Sequence, residues 1–519
     1  MFKTYFSSEQ ITLILTGGLF IIISLYLFHL KKYNWSILSL FIGALFIHFF
    51  AAQLDPFLNL WDERFHALVA KNMMNNPFVP KLYPEKAIDW HYTYWNNNYV
   101  WLHKQPLFLW QMALSMKIFG VNEFGVRFPS VIMSSLLVLF AFRTGKLLVD
   151  EKLGYYAAFI TATSHFIIKL VSGNEGMDHN DLAFTFYVSA GIWAYTEFYF
   201  SKKKYWIILI GIFAGCAVLN KWLVGLLVFA GWGINILFDG EKFSFRKFSD
   251  LLLSLLICIV IFLPWQIYIL SNFHALAMTE YRFNSAHIFK ALEGHDGGFW
   301  YHLDNMKELF GHLSIFFILP GFILLFKYAK QKRFMIGFTV MPVLIYLLFS
   351  LAKTKVDSHP FGVSLIVFLS LGICIKEFVL FFEKSFRQKV LSSLMIALLL
   401  IALGIGSINP EVLQARHTLW KEENVYSRAL IKNKEVFQYL NNSLPEGTVV
   451  FNVHGIHSVD LMFHTDFNGY NFMPTEDQYK QLKLNERPIA VFINWVELPE
   501  YIKNDPTVIL IEAEMGGYM

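Results

Sequence analysis

Charge is what this chain has least of. Asp, Glu, Lys and Arg make up 16% of its 519 residues, where a soluble enzyme carries about a quarter. That deficit excludes a single water-soluble globular domain. Cysteine is nearly absent too. Cys216, Cys258 and Cys374 all fall inside apolar runs, so neither a disulfide framework nor thiolate metal spacing can be read. No internal repeat is visible, which removes the paired-half signature of a secondary transporter. His179, His287 and His295 form no His-x-His or His-x-x-x-His pair, so an imidazole metal site has no support. The net charge of +4 is too small to call for a nucleic-acid partner.

Apolar residues are what the chain has in excess: 55% hydrophobic and 18% aromatic, with 54 Phe. A bilayer core takes about 20 apolar residues per helix. That ruler predicts spans near 11–30, 36–54, 125–148, 153–172, 182–200, 205–220, 222–238, 251–271, 311–327, 334–351, 360–382 and 390–408. The first is too long for a signal-peptide core and has no cleavage site, so it reads as a retained span. Connections such as "KKYN", "RTGKLLVDEK", "KKK" and "EKSFRQK" are basic and fall at every second loop. The positive-inside rule then makes those loops cytoplasmic and the rest exterior. The expected fold is a mainly α polytopic membrane protein of about twelve helices, residues 1–408, followed by a soluble α/β domain, 409–519. The tail earns that reading from β-rich runs, "TVVFNV", "IAVFIN" and "TVILIEA", alternating with "NKEVFQYLNNSL".

Two exterior loops are long, 55–124 and 272–310, and loops of that length are usually functional. In the first, "PLFLWQMALSMKIFG" is too short to cross and is expected to lie in the interface. Charge collects on this exterior side: Asp62, Glu63 and Lys104, then Glu175, Asp178 and Asp181, then Lys221, Arg282, Lys353 and Lys355. Alone, Asp62-Glu63 would read as a solvated helix start beside a positive helix end. Carboxylates beside separated cations allow a sharper reading. A carboxylate can take the proton of an acceptor hydroxyl, and fixed cations stabilise a phosphate leaving group. That chemistry points to transfer from a lipid-linked phosphate donor.

Four segments then carry a resemblance. "DERFHALVAKNM" resembles the first-loop Asp-Glu motif of the GT-C-type membrane glycosyltransferases, and residues 103–132, "HKQPLFLWQMALSMKIFGVNEFGVRFPSVI", are similar to their Lys-Pro-Pro-Leu stretch with its Arg-x-Pro-Ser end. "GHDGGFWYHL" and "FSLAKTKVDSHP" resemble two later exterior motifs. By pattern the chain is similar to lipid A aminoarabinose transferases and protein O-mannosyltransferases. It departs at Gln105, Trp222 and His359-Pro360, where the family favours Pro, Gly and Tyr.

The resemblance implies an inverting transfer of a sugar from a polyprenyl-phosphate donor to a hydroxyl of a lipid, glycan or protein, beside membrane lipids. The setting it implies is the periplasmic face of a bacterial inner membrane. It makes Asp62 the essential carboxylate and Glu63 its partner. Asp178 or Asp181 matches the acid of the second exterior loop; the spacing does not choose, and Asp178 is preferred. Lys104, Lys221 and Lys355 match cations near the polyprenyl phosphate, with Lys353 and Arg282 beside them. The resemblance fixes no cofactor; Asp62 and the second-loop acids would suit a divalent cation, magnesium or manganese. The competing function is a lipid or sugar transporter or flippase.

Overall fold

The computed structural model describes residues 6–89, 95–173, 178–238, 245–385, 425–455, 457–494 and 497–516. The chain forms two compact units: Met1–Ser8, Gln53–Pro129 and Leu413–Met519 make the first, and Glu9–Ala52 with Ser130–Val412 the second. The boundary between Pro129 and Ser130 falls inside one helix, Glu123–Leu148.

The second unit is helical, and its helices follow the apolar runs. Seven helices among the described residues are long and apolar enough to cross a membrane: Ser8–His29, Tyr33–Ala52, Glu123–Leu148, Tyr205–Leu237, Lys247–Asn272, Lys332–Leu351 and His359–Lys384. An eighth is added if Tyr301–Phe310 and Ile315–Tyr328, bent by 90°, form one broken span. The chain is therefore an integral membrane protein. The expected span at 390–408 lies outside the described residues.

Local chemistry explains where the helices differ from the expected spans. The stretch 153–172 breaks at Thr163-Ser164 into Glu151–Ala162 and His165–Val171. The Ser164 hydroxyl caps the second helix by accepting from Ile167 N. The expected pair 205–220 and 222–238 forms one 33-residue candidate, with a 3-10 turn at Trp222–Leu226 in place of a loop. Gly311, at φ +92°, makes the corner that precedes Ile315–Tyr328.

Helices in lipid gain no hydrophobic drive from meeting each other, so close approach and interhelical hydrogen bonds hold them together. A Cβ on Gly17 or Gly43 would come within 3.1 Å of the other's carbonyl oxygen, so these glycines let the first two helices touch. A Cβ at Gly337 would overlap the Gly231 carbonyl. There Asn235 accepts from Gly337 N (2.8 Å) and donates to the Tyr195 hydroxyl (2.8 Å).

The first unit holds a four-stranded sheet, β1 Val449–Phe451, β2 Asn468–Gly469, β3 Ile489–Phe492 and β4 Ile509–Ile511. All pairings are parallel, in the order β2-β1-β3-β4, with Val449 opposite both Asn468 and Ile489. Every residue of β1 and β3 is buried. That burial is why both strands are continuous apolar runs rather than alternating ones. Helices Val425–Ser443, His457–His464 and Glu476–Leu484 accompany the sheet. The last is fixed by a capping box in which Thr475 and Gln478 each bond the other's backbone N–H. The same unit contains helix Asp62–Met73 and helix Leu107–Phe119. At 13 residues Leu107–Phe119 is too short to cross a membrane. Its Leu114 and Ile118 are nonetheless exposed.

Candidate active site

The first unit brings Asp62, Glu63 and Lys104 together on and around helix Asp62–Met73. Acids in the first turn suit the positive end of the helix dipole. This helix start is not solvated, however: Asp62 is 2% exposed and Glu63 is fully buried. Burying a carboxylate requires a countercharge and hydrogen bonds. Asp62 has the Lys104 ammonium 3.5 Å from Oδ2.

Glu63 is held differently. Arg127 grips both of its oxygens, Nε to Oε1 at 2.7 Å and Nη2 to Oε2 at 2.9 Å. The backbone N–H of Asn59 also donates to Oε2, at 2.6 Å. The same guanidinium donates to the carbonyls of Asp55 and Phe57. Such a planar fork matches a carboxylate in a way no lysine could. Glu63 and Arg127 therefore tie the loop entering the helix to the start of helix Glu123–Leu148, while Asp62, one position earlier, meets Lys104. Arg127 lies in "VRFPS", a stretch whose spacing does not mark it as a site residue. The available signal was a guanidinium at the mouth of an apolar span.

An aromatic cluster stiffens this corner. Trp95 stacks on His103 with ring centres 4.5 Å apart and planes within 10°. It also meets Phe65 at 5.0 Å and Trp61 at 5.9 Å, edge-on in both cases. His103 precedes Lys104, so its stacking restrains the segment that carries the ammonium. Trp61 remains 47% exposed beside Asp62.

Within the second unit, Asp181 and Lys221 form an ion pair. Asp181 is 2% exposed, and Lys221 closes the helix Tyr205–Lys221. Lys221, expected beside phosphate, thus meets a carboxylate that sequence spacing did not assign to it. The Asp178 side chain and all of Glu175 lie outside the described residues. Arg282 is exposed on helix His274–Phe289, and Lys353 is exposed after helix Lys332–Leu351.

The two later motifs meet each other in this unit. Lys353 N, Thr354 N and Lys355 N donate to the carbonyls of Ile288, His287 and His295, each at 3.1 Å. The Thr354 hydroxyl bonds Lys290 O (2.9 Å) and the His287 Nδ1 (2.9 Å), and Asn305 reaches Asp357 at 3.1 Å. Lys355 is buried, and its ammonium caps the preceding helix on Phe349 O (2.8 Å) and Ser350 O (2.7 Å). Burial, helped by the like charge of Lys353, lowers its pKa. Lys355→Met leaves those carbonyls without their donor, at a cost of about 1–3 kcal/mol. A lower thermal midpoint of the detergent-solubilised protein, measured with no donor added, is the expected result.

The described residues contain no group of three His, Cys, Asp or Glu side chains placed to hold a metal ion. The chemistry on hand is that of buried carboxylates with paired cations.

Comparison with known proteins bears on both the sequence and the fold. Residues 103–268 match the dolichyl-phosphate-mannose-protein mannosyltransferase family, a stretch that includes Lys104, Arg127, Asp181 and Lys221. An undecaprenyl phosphate-α-4-amino-4-deoxy-L-arabinose arabinosyl transferase of Pseudomonas fluorescens is 26% identical over 48% of this chain and 45% of its own. The aligned stretches span 56% or less of the length of such curated relatives. The structure of ArnT from Cupriavidus metallidurans bound to undecaprenyl phosphate superposes with a TM-score of 0.60 at 12% identity, covering 87% of this chain and 89% of that one. The oligosaccharyltransferase AglB from Archaeoglobus fulgidus, in complex with an inhibitory peptide and a dolichol-phosphate, gives 0.54 at 13% identity, over 85% and 65%. The chain thus has the fold of the GT-C-type membrane glycosyltransferases, and its sequence similarity runs to the polyprenyl-phosphate-dependent members of that class.

Proposed function

We propose that the protein transfers a sugar from a polyprenyl-phosphate donor to an acceptor hydroxyl at the exterior face of its membrane, in bacteria the periplasmic face of the inner membrane. The observation that carries this reading is the buried Asp62 with the Lys104 ammonium 3.5 Å away, in a chain whose relatives and fold neighbours are glycosyltransferases. The acceptor hydroxyl attacks the anomeric carbon and a new C–O bond forms. The bond from that carbon to the phosphate oxygen breaks, and polyprenyl phosphate leaves with the electron pair. Asp62 takes the hydroxyl proton. A single displacement inverts the anomeric configuration.

Each remaining residue has a part in this proposal. Lys104 holds the Asp62 carboxylate in place and offers positive charge near the reacting phosphate. Glu63, with both oxygens engaged by Arg127 and Asn59, positions Asp62 rather than reacting. Lys221 orients Asp181 on helix Asp178–Ser201, whose first residue, Asp178, is the neighbouring acid. Within the second unit, Arg282 and Lys353 are exposed cations, and Lys355 shapes the loop that presents Lys353.

Mass spectrometry of lipid-linked sugars and surface glycans, in cells with and without the protein, tests the reading. One polyprenyl-phosphate sugar should accumulate without it, and one glycosylated product should disappear. Identical profiles in the two strains would overturn the proposal.

A further inference from the structure

Helix Asp62–Met73 has 12 residues and starts at Trp61 without a side-chain cap. A helix this short is marginal on its own, so the pose of Asp62 must be imposed by its surroundings. Glu63 and Arg127 provide one fixture, at the helix start. The rest comes from a segment almost 400 residues further along the chain, in the same compact unit.

Arg64, fully buried, donates to Asp460 Oδ2 at 3.3 Å. That carboxylate is oriented by His457 Nδ1 at 3.1 Å, one turn earlier on helix His457–His464. Burial favours the neutral form of Asp460, but the Arg64 guanidinium and His457 outweigh it and hold the carboxyl below its usual range. Two helical turns beyond Arg64, the Lys71 ammonium closes the C-terminal end of that same helix. It donates to the carbonyls of Met462 (3.0 Å), Phe463 (3.2 Å) and Thr465 (2.6 Å) and pairs with Asp466 at 3.0 Å. Cations suit carbonyls left open at a helix end.

Arg64 and Lys71 are seven residues apart and so share one helix face, about 10 Å from each other along the axis. Asp62 is about 200° around the axis from Arg64. The grip therefore acts from the side of the helix opposite the carboxylate and leaves that carboxylate to Lys104.

We infer that Arg64, Lys71 and Asp460 are positioning residues, through which helix His457–His464 of the C-terminal segment sets the rotation and axial placement of Asp62. The C-terminal α/β fold is then part of the catalytic apparatus without touching substrate. This inference rests on the glycosyl-transfer reading above.

The test uses the full-length protein in lipid vesicles with a polyprenyl-phosphate sugar, and the variants Asp460→Asn, Lys71→Met and Arg64→Lys. Asp460→Asn and Lys71→Met should each lower kcat about 10- to 100-fold, the range for a small misplacement of a reacting group. The donor KM should change less than about threefold, and amide hydrogen exchange across 62–73 should quicken. Arg64→Lys, which keeps a donor for Asp460, should recover most of the activity. Wild-type kcat per folded molecule in both Asp460→Asn and Lys71→Met would overturn the inference, as would a loss of activity that only tracks the loss of folded protein. If Asp62→Asn itself stays active, the glycosyl-transfer reading fails instead, while the faster exchange across 62–73 would still show the grip.

Discussion

On the proposed mechanism, Asp62→Asn should lower the turnover of the polyprenyl-phosphate sugar by about 10²- to 10⁴-fold, the usual contribution of a positioned general base. The amide matches the carboxylate in size, so the buried pocket is kept while the proposed proton acceptor is lost. The substitution also leaves the Lys104 ammonium facing a neutral group instead of its ion-pair partner 3.5 Å away. Some loss of stability follows from that alone. The double variant Asp62→Asn/Lys104→Met removes both charges and isolates the stability cost of the stranded ammonium. It should regain thermal stability and stay inactive. Turnover per folded molecule, measured in vesicles alongside thermal midpoints, decides the matter. Activity that returns with stability would show that Asp62 is structural.

The largest effect on folding is expected at the neighbouring residue. Arg127→Met removes four donated hydrogen bonds, two of them to a carboxylate with no exposure at all. Breaking a buried ion pair from one side costs about 3–5 kcal/mol, because the surviving charge stays desolvated. That is a large share of the stability margin of a typical domain. The expected result is a sharp drop in recoverable folded protein and in its thermal midpoint. Glu63→Gln in the same background removes the stranded charge and should restore part of the loss. A double variant no more stable than Arg127→Met alone would contradict the pairing.

The sequence made parts of this site legible, and the reasons are physical. Asp62 and Lys104 could be found because charges at a membrane rim are costly and stand out against apolar surroundings. The run "TVVFNV" contains β1 and "IAVFIN" contains β3 because a strand buried on both faces must be apolar at every position. Partnership was much harder to read. Arg64 meets Asp460 across 396 positions, and no spacing rule reaches that far. The resemblance sets Lys221 and Lys355 near the donor phosphate; in the fold one pairs with Asp181 and the other caps a helix end. A lysine's charge is visible in the sequence, but what it faces is decided by packing. The stretch 205–238 hides its continuity for a further reason. Lys221-Trp222 interrupts the apolar pattern as a loop would, while the backbone needs only a short 3-10 turn there.

The most direct test of the central claim is a product analysis. The purified protein in vesicles is given a polyprenyl-phosphate sugar of defined anomeric configuration and a membrane extract as the source of acceptor. Nuclear magnetic resonance of the isolated product and mass spectrometry of the spent lipid are then read together. One equivalent of polyprenyl monophosphate per glycoside formed, an inverted anomeric centre, and neither product with Asp62→Asn are the expected results. Transfer with retained configuration would contradict the single displacement. Movement of the intact donor across the bilayer with no glycoside formed would contradict the enzyme.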